Sequence, residues 1–378
     1  MNLVTQPLAL LPLVDVVAQY QSLNWELDQA VLRVLSNGKY VLGREVQEFE
    51  EAFAKYTGAR YCVTTSSGTS ALHLALKACG IGAGDEVIVP AISFVASVWP
   101  VTYVGATPVF VEVEWESACL DAEKLENVIT PRTAAIVIVH LYGRIANMDA
   151  IMNVARKHNL LIIEDCCQAH GARYRSQHVG TFGHVGCFSF YPGKNLGTCG
   201  EGGALITDNE EIATRCRVMR DHGQIRRYYH EQLGYNYRMP TIMAAALAVK
   251  LRYLDEWNSR RRSSAQRYHE ALRDLPLWLP PPVTDESHVW HLYTLRTAQR
   301  NELACWLNRR GIAAGQHYPF PLHLQPVYRH LGYRPGDFPI AERIARETLT
   351  LPLFPELSAR QQSEIIRAVR SFFGDAYV

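Results

Sequence analysis

The segment Phe188-Ser-Phe-Tyr-Pro-Gly-Lys-Asn-Leu-Gly-Thr-Cys-Gly-Glu-Gly-Gly203 is the part of this 378-residue chain from which its architecture can best be inferred. It begins as an aromatic, strand-like run and ends as a glycine-rich turn, with Lys194 between the two. Most lysines are solvated surface charges, and their pKa shifts only when they are buried. A lysine in this setting is therefore a candidate for binding a cofactor if other segments complete the site.

Short apolar runs alternate with helical patterns around this segment, from about residue 60 to residue 207. Helices are predicted over residues 69–78 and 148–158, where apolar residues recur at helical spacing. This alternation predicts an α/β fold with a mainly parallel, seven-stranded sheet between helices. The predicted strands cover residues 61–65, 86–89, 107–113, 134–139, 160–164, 186–190 and 204–207.

The C-terminal part of the chain has a different pattern. One long Ala/Leu-rich helix is predicted beyond Pro240, running into Arg260-Arg-Arg262, whose charges we interpret as a solvated helix face. Four prolines within residues 275–282 predict a connector, and a strand, a helix and a last helix after Ser358 predict a compact α+β lobe. We therefore predict a large domain over residues 1–255, whose N-terminal segment can pack on a smaller C-terminal α+β domain over residues 256–378.

Composition excludes several classes of function. A net charge of +1 supplies no field that would attract polyanions, so neither nucleic acid nor a membrane is predicted as a partner. The nine cysteines form no C-x-x-C pair, which is typical of reduced thiols in the cytosol, and Cys166-Cys167 is interpreted as packing. The N-terminus has no basic segment and its apolar stretch, residues 8–14, is broken by Pro12. A cytoplasmic protein is predicted.

The turn Ser67-Gly-Thr-Ser70 follows a predicted strand and opens a predicted helix. Helix N-termini bind phosphates because free N–H groups and the helix dipole point at the anion, and a glycine lets the backbone approach closely. Ser67 or Thr69 could equally act only as the cap of the helix. The tetrapeptide alone leaves both interpretations open.

Asp165 ends the apolar run Leu160-Leu-Ile-Ile-Glu-Asp165 and should be buried. A buried carboxylate needs a charged or hydrogen-bonded partner, and a protonated pyridine nitrogen would be one. The alternative is that it accepts backbone N–H groups of the next loop. Gln168 could reach a ring hydroxyl of the same cofactor or a loop carbonyl. Together with Lys194 and the turn at Ser67, these residues indicate a pyridoxal phosphate (PLP) site.

Two further residues and a chemical role for Lys194 complete this hypothesis. Phe94 follows a strand at the edge where α/β proteins bind ligands, so its ring could stack on a heterocycle, although a phenylalanine is more often part of a core. The amine of Lys194 would form a Schiff base with the aldehyde and then move a proton between two carbons of the substrate. Ser189 could add a phosphate contact.

Other ligands are excluded by spacing. A P-loop would need glycine at Phe188 and Ser or Thr at Asn195, and a dinucleotide fingerprint that starts at Gly200 would need glycine at Leu205. No metal site is predicted, because the histidines fit no metal-binding spacing. The histidines considered are His170, His222, His317 and His323.

In this order the motifs resemble the DegT/StrS family of sugar aminotransferases, PLP enzymes of the aspartate-aminotransferase fold (fold type I). The resemblance covers almost the whole chain. The matching segments are Leu11-Pro-Leu-Val-Asp, Gly43-Arg-Glu-Val-Gln-Glu-Phe-Glu50, Ser67-Gly-Thr-Ser-Ala-Leu72, His140-Leu-Tyr-Gly143, Glu164-Asp-Cys-Cys-Gln-Ala-His-Gly171, Phe188-Ser-Phe-Tyr-Pro-Gly-Lys-Asn195, Gly200-Glu-Gly-Gly203, Gly234-Tyr-Asn-Tyr-Arg-Met239, His317-Tyr-Pro-Phe-Pro-Leu-His-Leu-Gln325 and Leu351-Pro-Leu.

The resemblance implies a role for each candidate residue. Lys194 would be the Schiff-base lysine, Asp165 the partner of the pyridine nitrogen, Gln168 the contact to the ring hydroxyl and Phe94 the stacking ring. The phosphate would be bound by Gly68, Thr69, Ser70, Ser189 and, from a neighbouring subunit, Asn236. The sugar would face Tyr191, Arg238, His317 and Tyr318.

The resemblance also implies an activity. Lysine rather than histidine at position 194 favours transamination over dehydration, and the strings around Tyr191 and His317 look most like members that aminate C-3 of a 3-keto nucleotide sugar. The implied amino donor is L-glutamate, the cofactor alternates between PLP and pyridoxamine phosphate (PMP), and the enzyme is at least a homodimer with shared sites. Products of this kind enter surface polysaccharides or glycosylated natural products.

Two segments depart from the family pattern: Cys166-Cys167 replaces small alanines, and Pro240-Thr-Ile-Met replaces acidic and glutamine positions near the implied subunit interface. The sequence also leaves two alternative functions open. One is a different PLP reaction on a sugar, such as dehydration or epimerisation. The other is a regulatory binding protein of the same fold without turnover, against which the intact Lys194 and Asp165 argue.

Overall fold

The computed structural model of the chain describes residues 11–374, so residues 8–10 of the apolar N-terminal stretch lie outside it. Its helices are α1 Val16–Asn37, α2 Arg44–Thr57, α3 Gly68–Ala78, α4 Trp99–Tyr103, α5 Met148–Lys157, α6 Glu210–Arg220, α7 Thr241–Leu251, α8 Leu254–Leu272, α9 Arg300–Asn308, α10 Pro339–Glu347 and α11 Ala359–Phe372. Its strands are β1 Tyr61–Thr65, β2 Glu86–Pro90, β3 Thr107–Val111, β4 Thr133–Val139, β5 Leu161–Asp165, β6 Arg173–Tyr174, β7 Gln177–His178, β8 Val185–Ser189, β9 Gly203–Thr207, β10 Gln224–Arg226, β11 Tyr229–His230, β12 Tyr293–Arg296 and β13 Thr348–Leu351.

The central sheet has seven strands in the order β1-β9-β8-β5-β4-β2-β3. Strand β9 is antiparallel to both of its neighbours, whereas the other pairings are parallel. The mainly parallel seven-stranded sheet predicted from the sequence is therefore confirmed. Since parallel strands need crossover connections, helices must cover the sheet on its faces.

Side chains of a strand point alternately to the two faces of the sheet, and each face packs in its own hydrophobic cluster. Val63 and Leu205 pack on one face, in a cluster that includes residues of α3 and α6. Phe188 and Ile206 pack on the other face, in a cluster that includes residues of α2 and α7. The sheet thus lies between two layers of helices.

The C-terminal lobe has its own core. Strands β12 and β13 form an antiparallel pair, and residues of α8, α9 and α11 pack with it in a third cluster. The segment that carries Leu322, Tyr328 and Ile344 instead packs with the cluster of the central sheet. The domain boundary between residues 255 and 256 stays a prediction.

Two sequence-based expectations for this part of the chain are wrong. The single helix predicted beyond Pro240 is two helices, α7 and α8, which are separated at Arg252 and Tyr253. Arg261 does not lie on a solvated face: it is 2% exposed, and its guanidinium donates to the carbonyl oxygens of Trp290, His291 and Leu353. The Arg261 side chain can be buried there because three carbonyl oxygens replace the water around its charge.

Two structural findings concern the compartment. None of the helices within residues 11–374 is both long and apolar enough to cross a bilayer. All nine cysteines are free thiols, and most of them are buried.

Candidate active site

The candidate residues come together at one edge of the central sheet, where parallel strands end. Strand β5 ends at Asp165, β8 ends at Ser189 just before the Lys194 turn, and β1 is followed by Ser67 and helix α3. Ligands of α/β proteins bind outside the carboxyl ends of the strands, because the loops there converge.

The turn before α3 is a tightly built helix N-terminus. Ser67 Oγ accepts a hydrogen bond from Ser70 N at 3.1 Å, and Ser70 Oγ accepts one from Ser67 N at 2.9 Å, so the capping role of Ser67 is confirmed. Within residues 11–374, the backbone N–H groups of Gly68 and Thr69 have no hydrogen-bond partner. The cap leaves these two donors available for an anion.

Gly68 lies where no side chain fits. A Cβ atom at this position would come within 2.7 Å of both Cys167 Sγ and Ser189 Cβ. The strand end at Ser189 and the turn before α3 therefore touch. Four of the residues predicted to bind the phosphate, Gly68, Thr69, Ser70 and Ser189, lie together in the structure.

Asp165 is 5% exposed and uses both carboxylate oxygens. Oδ2 accepts a hydrogen bond from Ser97 Oγ at 2.7 Å, and Oδ1 accepts one from the backbone N–H of Cys167 at 3.1 Å. The loop contact considered from the sequence is thus present. This contact and the bond from Ser97 use two of the about four hydrogen bonds that a carboxylate can accept. Ser97 was missed because it is 68 residues away in the sequence.

Lys194 lies in a turn closed by its own N–H, which donates to the carbonyl of Tyr191 at 2.9 Å. Its side chain is half-buried, and no hydrogen bond or ion pair to Nζ occurs within residues 11–374. Burial lowers the pKa of the Lys194 amine, while nearby Cys167 and Asp165 act in the opposite direction. The amine is therefore easier to deprotonate than that of a surface lysine.

Gln168 connects two tyrosines. Its Oε1 accepts from Tyr142 N at 2.8 Å, and its Nε2 donates to Tyr318 Oη at 3.1 Å. The ring of Tyr318 lies 5.7 Å from that of Phe94, centroid to centroid. Phe94 is 49% exposed, so the alternative that it belongs to the core is wrong. An aromatic side chain with a free face thus borders the site.

His317 is half-buried beside β13. Its Nδ1 is 2.8 Å from Thr350 Oγ1, and its carbonyl accepts from the Tyr142 hydroxyl. Burial first, and then the charge of Lys194, lower the pKa of His317 to about 4. Its imidazole is therefore neutral near pH 7.

The remaining predicted residues lie at the rim. Tyr191 is 53% exposed beside the lysine turn. Arg238 forms an ion pair with Asp221 at 2.8 Å and donates to Asn236 Oδ1 at 2.7 Å. Within residues 11–374, neither Asn236 nor Arg238 bonds to a residue around Lys194. No hydrogen bond therefore ties either residue to the site in the described chain, although the carbonyl of Tyr237, which lies between them, accepts from Ser66 N at 2.7 Å.

Sequence reasoning missed a buried amide beside the lysine. Asn195 donates to Asn258 Oδ1 and to the carbonyl of Val289, both at 2.9 Å, and its Oδ1 is 3.1 Å from His291 Nδ1. These partners follow Asn195 by 63 to 96 residues, so no local pattern signals them.

A cluster of potential metal ligands beneath the site is closed by hydrogen bonds. His140, Glu164 and Cys166 place their ligand atoms within 4.8 Å of one another. His140 Nδ1 accepts from Ala146 N at 3.2 Å, which leaves its Nε2–H to donate to Glu164 at 3.0 Å. The glutamate also accepts three backbone N–H groups. The lone pairs that a metal would need are occupied.

Known proteins match nearly the whole chain. A profile of the DegT/DnrJ/EryC1/StrS aminotransferase family matches residues 21–370. The chain is 46% identical to the dTDP-3-amino-3,4,6-trideoxy-alpha-D-glucose transaminase of Streptomyces venezuelae, over 96% of each protein. It is 42% identical to a protein of Geobacillus stearothermophilus named pleiotropic regulatory protein, over 96% of this chain and 98% of the relative.

The fold agrees as well. The crystal structure of S. venezuelae DesV in complex with a ketimine intermediate superposes with a TM-score of 0.94 at 45% identity, covering 98% of this chain and 99% of DesV. The fold class and the aminotransferase class predicted from the sequence are thereby confirmed.

Proposed function

The chain belongs to the DegT/DnrJ/EryC1/StrS aminotransferase family, and we propose that it moves an amino group from L-glutamate to C-3 of a nucleotide-linked 3-keto-hexose. PLP, which alternates with PMP, is the cofactor. The observation that carries the proposal is the position of Lys194, which is half-buried and without an ion-pair partner in the described chain, in the turn that follows β8, the strand paired with β5 at Asp165.

The residues present fit this cofactor. The space at Gly68 admits no side chain, so backbone donors can reach a phosphate there. Asp165 is buried and keeps lone pairs for a cationic ring nitrogen. Phe94 offers an exposed ring face, and Gln168 a side-chain amide.

We assign the residues accordingly. Gly68, Thr69, Ser70 and Ser189 bind the phosphate, with Asn236 of a second subunit. Asp165, Gln168 and Phe94 hold the ring. When bound, the cofactor supplies an aldehyde that accepts the amino group and a ring that withdraws electrons.

Lys194 then acts as acid and base. Burial lowers the pKa of its amine, so a neutral Nζ can take a proton from one carbon of the substrate and return it to the next. His317 cannot compete for that proton near pH 7, because its pKa is about 4. It can accept or donate a hydrogen bond to a sugar hydroxyl instead.

The sugar would lie between Tyr191, His317, Tyr318 and Arg238. Attack at C-3 is supported by the printed name of the S. venezuelae relative, a 3-amino-sugar transaminase. Arg226 and Arg227 are exposed and could meet the nucleotide phosphates, although each also packs over a tyrosine ring as surface arginines do.

A homodimer with shared sites accounts for two observations. Asn236 is exposed and makes no hydrogen bond to the residues around Lys194 within the described chain. Helix α1 exposes Trp25 (72%), Leu32 and Leu35, apolar surface of the kind that protein interfaces cover. A cytoplasmic enzyme is proposed, since its substrates are nucleotide sugars and free glutamate.

The test is product analysis with matched substrates. The enzyme is incubated with glutamate and a panel of 3-keto and 4-keto nucleotide sugars, and products are identified by mass spectrometry and NMR. We expect a 3-amino sugar and 2-oxoglutarate in equal amounts. An exclusive 4-amino product would overturn the position of attack. Loss of a sugar hydroxyl without amination would favour a dehydratase, and an inert bound cofactor under saturating glutamate would favour a regulatory protein.

A further inference from the structure

Residues 288–292 lead from the connector into β12 and touch both turns of the site. The N–H of Val289 donates to the carbonyl of Gly143 at 3.0 Å, and the Val289 carbonyl accepts from the Asn195 side chain at 2.9 Å. A Cβ atom at Gly143 would lie 2.9 Å from both Gln168 O and His291 N. One short segment therefore packs against the Gln168 turn and against the turn that carries Lys194.

The orientation of the buried amides here is fixed by backbone carbonyls, which can only accept hydrogen bonds. Asn195 must point its NH₂ group at the carbonyl of Val289, and Asn258 must point its own at the carbonyl of His170, 2.8 Å away. The Asn258 oxygen then accepts the second hydrogen of Asn195. Only the Asn195 oxygen is left to face His291.

It follows that His291 carries a proton on Nδ1, because Asn195 Oδ1 at 3.1 Å can only accept. Burial, and then the charges of Lys194 and Arg261, keep the pKa of His291 well below its ordinary value, so the ring is neutral and has a single tautomer. The position of His291 is fixed in turn by Arg261, one helical turn beyond Asn258 on α8, which donates to its carbonyl at 3.3 Å.

We propose that His291 is a positioning residue, which holds the turn carrying Lys194 in place by donating its Nδ1–H to Asn195. The side chain of Asn195 is the only part of residues 194–196 that bonds into the segment 288–292 and helix α8 within the described chain. Without the imidazole donor, one acceptor of this buried amide is left unpaired and the turn loosens. Its consequence for catalysis rests on the proposed role of Lys194, whereas the hydrogen-bond geometry does not.

Three substitutions of His291 distinguish the contribution of Nδ1 from that of Nε2. In His291→Asn, the side-chain NH₂ takes the place of Nδ1–H. In His291→Gln, it takes the place of Nε2. In His291→Leu, both are lost at similar volume. A role through Nδ1 predicts rescue by asparagine alone.

The first measurement is hydrogen exchange of residues 191–199 by mass spectrometry, on protein freed of cofactor. We expect His291→Leu and His291→Gln to raise the exchange rate about tenfold, which corresponds to one lost hydrogen bond. His291→Asn should stay within about threefold of the parent protein by the same argument. In an Asn195→Ala background, His291→Leu should add nothing, because the acceptor is already gone.

The second measurement is the dissociation constant of PLP, followed by the visible absorbance of the bound cofactor, together with kcat and KM. His291→Leu should weaken PLP binding and lower kcat about tenfold or more, as expected for a displaced reacting group, with asparagine restoring both. Unchanged exchange in His291→Leu, or rescue by glutamine rather than asparagine, overturns the proposal. Failure of the parent protein to bind PLP would overturn the proposed function, while the exchange result would still decide the role of His291.

Discussion

Strand β5 ends in two adjacent carboxylates that meet very different surroundings. Glu164 is fully buried and accepts four hydrogen bonds, three from the backbone N–H groups of Gly180, Phe182 and Gly183 and one from His140. Asp165 points to the other face and accepts two, from Ser97 and from the N–H of Cys167. Because side chains alternate between the two faces of a sheet, adjacent residues of the strand reach opposite surroundings.

The number of hydrogen bonds that each carboxylate accepts shows which of the two can still bind a ligand. Glu164 has as many donors as a carboxylate can accept, so it organises the loop around residues 180–183 and nothing else can bind it. Asp165 keeps lone pairs and pairs with Cys187 of β8, the strand that leads into the Lys194 turn. We call these surroundings the closed side and the open side of β5. The open side should control the reaction, and the closed side should control stability.

The largest expected effect is on the open side. Lys194→Ala should lower the rate of amino transfer by at least about 10⁴-fold, because the group that moves the proton is lost. The thermal midpoint should stay near that of the parent protein, since Nζ makes no hydrogen bond or ion pair with residues 11–374. Steady-state kinetics and a thermal scan check both. Lys194→Arg, which keeps a charge, is the control and should be equally inactive.

The next effect separates the two acids by kinetics. Asp165→Asn should reduce kcat/KM by about 10²–10³-fold, the usual loss when one charged group at a reacting centre is neutralised. The matched variant Glu164→Gln should change kcat/KM by less than about threefold at 20 °C, because Glu164 faces away from the cleft. Equal losses in the two variants would contradict the division into open and closed sides.

The free energy of unfolding should be lowered more by Glu164→Gln than by Asp165→Asn, the reverse of their order in kcat/KM. Glu164→Gln places an NH₂ group among four donors, so we expect the free energy of unfolding to fall by about 3 kcal/mol. Asp165→Asn should cost less than about 1 kcal/mol, because both of its partners can still bond to an amide. Urea unfolding followed by tryptophan fluorescence measures both. A larger loss for Asp165→Asn would argue that the open side is also structural.

The last expected effect is a dependence of stability on pH, which is shared between separate histidines. Burial and then the charge of Lys194 lower the pKa of His170 to about 3 and that of His317 to about 4, against about 6.5 for a free imidazole. The unfolded chain therefore binds protons more readily than the folded one between pH 6.5 and 4. Stability is fully present above about pH 6.5 and falls as the pH decreases, by about 2 kcal/mol per histidine at pH 5.

Urea midpoints between pH 7.5 and 5 check this sign. His317→Asn keeps a partner for Thr350 and removes one titrating group, so its decline with falling pH should be shallower than that of the parent protein. An identical slope would show that His317 does not contribute to the effect.

Much of the sheet could be predicted from the sequence, because its strands are short apolar runs punctuated by turns. The same logic failed beyond Pro240. No glycine or proline marks the break at Arg252, so α7 and α8 were predicted as one helix. Arg261 was placed on the surface because a run of three arginines looks solvated, whereas its burial depends on carbonyls that follow it by 29 to 92 residues.

The site shows the same limit. Lys194, Asp165 and the Ser67 turn each lie at the end of a strand or the start of a helix, so local pattern reveals them. Ser97 bonds to Asp165 from a distant segment, and Asn258 and His291 likewise bond to Asn195 beside Lys194, through single hydrogen bonds without a sequence signature. Such supporting contacts depend on tertiary packing and are visible only once the chain is folded.

Packing at two glycines limits where the enzyme can be altered to accept other sugars. A methyl group at Gly203 would come within 2.2 Å of the Ser67 carbonyl oxygen, as one at Gly68 would collide with the end of β8. These two glycines at the floor of the cleft therefore tolerate no side chain, while Tyr191, more than half exposed beside the lysine turn, lies at its mouth. Libraries made to change substrate range should randomise the mouth and leave the floor untouched.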